Sequence, residues 1–97
     1  MTTDYQLMFL KTERDFAELD RNNAQRKLSE AKALINRLAF LRAPKSEVEC
    51  AKIQRRTIER EVEKCIDRLE DLRAQVGEAQ TRLEARQAEE LRVQSGH

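Results

Sequence analysis

Tryptophan is absent from this chain of 97 residues, which carries only one tyrosine, three phenylalanines, two glycines, one proline and one histidine. Each shortage excludes something. Aromatics at 4% leave too few rings to fill a globular core, and so few turn residues cannot serve the many reversals of a sheet. The lone histidine is His97, so no histidine base, catalytic triad or zinc cluster is expected. Gly77 and Gly96 stand apart, which excludes a glycine-rich phosphate loop. Carboxylates are abundant but fall along what read as solvated helix faces, with no concave setting to make an acid or base of them. The expectation is a protein that is not an enzyme, with no catalytic residue, cofactor, metal or small-molecule substrate.

An excess of one charge sign is lacking too. The 19 basic and 18 acidic residues are well mixed and leave a net charge of +1, which excludes a long basic arm or polybasic membrane patch. Arg55, Arg56 and Arg60 form a modest basic cluster, but Glu59, Glu61 and Glu63 interleave with it. Solvated ion pairs describe that better than phosphate contacts, so nucleic-acid binding is only a minor alternative. No apolar run is longer than the four residues of 7–10, far too short to span a bilayer, and residues 1–4 show no basic segment leading into an apolar one. Membrane insertion is not expected, and a cytoplasmic setting is. Cys50 and Cys65 lie roughly 22 Å apart along one expected helix, too far for a bond within the chain. Both suit a reducing compartment.

What is present is a seven-residue rhythm. Val48, Ala51, Arg55, Ile58, Val62, Cys65, Leu69, Leu72, Val76, Ala79 and Leu83 follow one another at alternating steps of three and four. That spacing draws one narrow apolar seam along a helix, the pattern of a helix that lies against another. A sustained seam also separates this charged composition from a disordered one. Leu7, Leu10, Arg14, Ala17, Arg21, Ala24, Leu28, Ala31, Ile35 and Leu38 repeat the pattern upstream. Between the two seams stands Pro44, which removes a backbone donor and pushes Ala43 out of helical conformation. The expected fold is all-α: a first helix over about residues 3–42, a corner at 43–46, a second helix over about 46–92 and a short tail at 93–97. Ser46 and Glu49 have the spacing of a capping box for the second helix, and Thr3 and Gln6 for the first. Gly77 lies inside the second helix at a cost of about 1 kcal/mol relative to alanine.

So short a corner makes the helices antiparallel, a single coiled-coil hairpin spanning residues 1–97. Its seam then sets Leu38 near Ala51, Ala31 near Ile58, Leu28 near Val62, Ala24 near Cys65, Ala17 near Leu72, Leu10 near Ala79 and Leu7 near Leu83, with Ile35 and Leu69 in the same row. Charges beside the seam agree with that register. It predicts Glu18 with Arg73, Lys32 with Glu59, Asp20 with Arg68 and Lys27 with Glu61, all opposite in sign. A parallel dimer of the second helix would set Arg68 beside Arg73.

The first helix has more apolar residues than one seam uses. Tyr5, Phe9, Phe16 and Leu19, with Thr12 between and Met8 alongside, recur on the face away from Ala17, and Phe40 follows on the same outer side near the corner. One reading rotates the helix and makes these rings the seam, leaving Ala17, Ala24 and Ala31 outside. The reading preferred here makes Tyr5, Met8, Phe9, Phe16, Leu19 and Phe40 a second interface, with a helical protein partner or with a second copy of the chain in a helical bundle. Phe40, Leu41 and Ile53 suggest a smaller patch at the corner. Arg14, Arg21 and Arg55 interrupt the seams; their stems cover apolar neighbours while the guanidinium reaches water, the alternative being a device that fixes register.

No motif points to a family. In shape alone, a short α-hairpin resembles bacterial secretion and flagellar export stalk proteins, secretion chaperones, and small subunits of cytoskeletal or membrane-associated assemblies. The expected role is a scaffolding or interaction subunit of a larger assembly. The alternative implied by shape is an export stalk or chaperone that contacts an export ATPase or its cargo.

Overall fold

The computed structural model describes residues 4–96. Two helices account for nearly all of them: α1, Asp4–Phe40, and α2, Lys45–Ser95. They fold back on each other as an antiparallel hairpin with extents of 81 × 16 × 15 Å. A rod this thin has no interior beyond its seam, so the seam must supply the burial that orders the chain.

Every seam position named above is buried or half-buried. Toward the open end Leu7, Val76 and Ala79 form one cluster, with Leu10 and Leu83 packed against it. Further in, Ala17 meets Leu69 and Leu72. Small residues oppose large ones: Ala17 is 2% exposed and Leu69 only 1%. That alternation lets the two axes approach closely. Because Ala17 and Ala24 face inward and the rings face outward, the rotated arrangement of α1 is excluded.

The corner falls two residues earlier, at 41–44, and is built differently from the sequence expectation. α1 stops at Phe40, and Arg42 takes a left-handed φ of 55°. The Ala43 amide donates to the Leu38 carbonyl at 2.9 Å and the Arg42 amide to the Ala39 carbonyl at 3.2 Å. This pair of bonds is the Schellman closure that usually employs glycine at the left-handed position. Pro44 follows and acts as the N-cap of α2, its carbonyl accepting from the Glu47 and Val48 amides. Its ring carries no side-chain acceptor, and the expected capping box does not form: Ser46 lies within the first turn of α2, and no side chain caps the helix. Glu47 supplies negative charge to that turn instead. At the other end α2 continues to Ser95, so most of the expected tail is helical. The Thr3 capping position lies outside the described residues.

Of the four expected ion pairs between helices, one forms. Arg73 donates to Glu18 at 3.1 Å. Arg68 pairs at 3.2 Å with Glu13 rather than Asp20. Both acids lie on the same flank, and glutamate reaches one methylene further. Glu59 is held by Arg55 on its own helix at 3.4 Å. Among the described residues, neither Lys32 with Glu59 nor Lys27 with Glu61 comes within ion-pairing distance. The seam arginines turn sideways: Arg14 bonds Asp15 and Arg21 bonds Asn22, each its sequence neighbour. The Nε of Arg55 is buried and lacks a hydrogen bond of good geometry.

Candidate protein-interaction surface

The hairpin has two unlike flanks. On the flank of Glu18 and Arg73, the seam-bordering residues Lys11, Lys52, Glu59 and Ile66 are half-buried while Gln25, Lys32 and Gln80 are exposed. On the flank of Glu13 and Arg68, the corresponding Gln6, Asp20, Lys27, Leu34, Gln75 and Arg82 are exposed. The second flank is the more open one, and the aromatic residues of α1 border it.

Tyr5 and Phe9 wall an open groove of about 610 Å³ between the helices, faced by Gln75, Glu78 and Arg82 of α2 and floored by Leu10 and Ala79. Arg82 and Glu78 pair loosely along its rim at 3.9 Å. Phe16, Leu19 and Met8 extend the apolar surface along α1, all exposed. Thr12 does not break the stripe with an unpaired donor, because its hydroxyl donates to the Met8 carbonyl at 2.9 Å. Tyr5 is 86% exposed, so the fold itself leaves this ring in water.

The six candidate interface residues are not one patch. Tyr5 and Phe9 meet at the groove, and Met8, Phe16 and Leu19 continue it. Phe40 is equally bare at 87%. It lies at the far end of α1, about 50 Å from Tyr5 at the helical rise. Leu41 and Ile53 are also exposed near the corner. A separate groove of about 300 Å³ there is lined by Leu34, Leu38, Cys50 and Ala51. Cys50 is an exposed free thiol and Cys65 a half-buried one on the seam.

Two features of this surface were not anticipated. The α2 wall of the groove carries no sequence signal, because Gln75, Glu78 and Arg82 are ordinary solvated residues until α1 is laid beside them. The second is an overhang. Past Leu83 every described residue to Gly96 is exposed, including Leu91 and Val93. There α2 projects beyond the described part of α1. The greater length of the second seam-bearing segment was the available signal. No helix among the described residues is long and apolar enough to cross a membrane.

The chain matches no family model, and no curated protein or solved structure shows significant similarity to it.

Proposed function

We propose that this hairpin is a non-enzymatic interaction subunit that binds a helical protein through the open flank of its free end. One observation carries the reading. The seam of the hairpin is already filled, yet Tyr5, Met8, Phe9, Phe16 and Leu19 remain exposed in a row beside a groove. Clustered apolar rings are costly to leave in water and are typical anchors of protein interfaces. The groove is open and walled by two helices, and the aromatic row carries its apolar surface further along α1, a shape that suits a third helix. The reading places the protein in the cytoplasm, where Cys50 and Cys65 stay reduced.

The double variant Phe9→Ala/Phe16→Ala tests it. The helical circular dichroism of the isolated chain should be nearly unchanged, because neither ring fills the seam. Assembly, read as mass by light scattering, should fall. A loss of helicity equal to that of Leu28→Ala/Val62→Ala would show the rings to be structural and would overturn the proposal.

A further inference from the structure

The interface proposed above leaves its partner open, and the α2 overhang identifies one. We propose that the partner at the open end is a second copy of this chain, with residues 84–95 of each α2 lying antiparallel in the other copy's groove. The inference rests on the interaction reading and deepens it.

Size argues first. Residues 84–95 extend about 18 Å at the helical rise, and the span from Tyr5 to Phe16 is about 17 Å. In a two-fold arrangement centred just beyond the packed end of the hairpin, each overhang therefore covers the aromatic stretch of the other copy. It also carries the exposed Val93 toward those rings. Locally the result is a three-helix bundle of α1, α2 and the visiting α2.

Charge argues second, and more specifically. On α2 a second stripe runs beside the seam at steps of four and three: Glu78, Arg82, Ala85, Glu89, Arg92. Its first two members wall the groove, and the other three line a shallow depression on the overhang. Read backwards, the stripe is its own electrostatic complement. An antiparallel pair centred on Ala85 sets Glu78 against Arg92 and Arg82 against Glu89, twice over by symmetry, with the small alanine at the axis where the helices approach closest. Other registers fail. A half-heptad slide sets Glu78 on Glu89 or Arg82 on Arg92. A full heptad sets Arg82 on Arg82 or Glu89 on Glu89. A parallel pair opposes every charge with itself. Within one copy Arg82 already pairs with Glu78 at 3.9 Å and Arg92 with Glu89 at 3.4 Å. The two cross-copy contacts close these into a ring of four alternating charges, and networks of this kind hold better than single exposed pairs.

The test uses the full chain. Sedimentation equilibrium should show a monomer–dimer equilibrium that shifts toward monomer as salt rises. Glu78→Arg or Arg92→Glu alone should raise the dimer dissociation constant about tenfold or more, since each creates like-charge contacts twice. The double variant Glu78→Arg/Arg92→Glu should recover part of the affinity lost in either single variant, because the cross-copy pairs re-form while Arg82 and Glu89 each lose their partner within the copy, with helicity by circular dichroism as the folding control. In a Cys50→Ser/Cys65→Ser background, Ala85→Cys should oxidise to a covalent dimer, while Gln87→Cys on the other flank should not. A chain that stays monomeric throughout the micromolar range overturns the inference. So does a dimer indifferent to the charge changes that fails to cross-link at Ala85→Cys. In either case, binding of a different helical protein lost in Phe9→Ala/Phe16→Ala would leave the interaction reading standing. A cross-linking, charge-sensitive dimer that is unaffected by Phe9→Ala/Phe16→Ala would instead sink the aromatic-face reading.

Discussion

Arg73 of α2 reaches across the hairpin to Glu18 of α1, its Nη2 donating to Oε1 at 3.1 Å between residues 55 positions apart in sequence. Both side chains are about half exposed, so the pair stabilises by no more than about 1 kcal/mol. Its value is positional. Together with Arg68 and Glu13 on the opposite flank, it ties both edges of the seam to one axial stagger.

Reversing one charge of the pair should show this. Arg73→Glu should destabilise the chain by about 0.5–1 kcal/mol, and adding Glu18→Arg should recover most of that. Thermal unfolding followed by circular dichroism at low and high salt reads the coupling. The difference between single and double variants should shrink as salt rises.

Leu69 is the most enclosed large side chain, packed against Ala17, whose methyl leaves no second chain to close a gap. Leu69→Ala should therefore cost about 2–4 kcal/mol. In so thin a rod that is most of the available stability. Urea unfolding should show a midpoint displaced far below that of the parent chain.

Arg55 occupies a seam position with a buried Nε that lacks a well-formed hydrogen bond. Replacing a partly desolvated charge by an apolar residue of similar bulk commonly stabilises. Arg55→Leu should raise the urea midpoint, by the equivalent of about 1 kcal/mol or more. A drop in stability would show instead that the Arg55–Glu59 contact at 3.4 Å is a register device worth keeping.

Arg42 holds a left-handed backbone conformation that glycine adopts without penalty. Arg42→Gly should raise stability by about 0.5–1 kcal/mol, measured by the same unfolding transition, with the hairpin corner unchanged. Arg37 remains in the last turn of α1 to face the helix dipole, so little charge stabilisation is lost.

The helix ends show where sequence reasoning overreached. Ser46 and Glu49 have the spacing of a capping box, but spacing alone does not say which residue leaves the helix first. The Schellman bonds at Leu38 and Ala39 close α1 early and let Pro44 cap α2, leaving Ser46 inside the first turn. Flanking charges erred similarly. A row of long side chains offers each arginine acids one heptad apart, and reach chooses between them.

Two helices, the break at Pro44, the antiparallel return and the inward-facing row from Leu7 to Leu83 were legible in the chain alone. A seam is a one-dimensional property, set by the distance between apolar residues and the pitch of a helix. Folding decided the rest: that one flank is more open than the other, that Tyr5 and Phe9 share a groove with Gln75, Glu78 and Arg82, and that α2 projects beyond the described part of α1. Those facts depend on the stagger and rotation of two cylinders in contact, which arise only when distant residues meet.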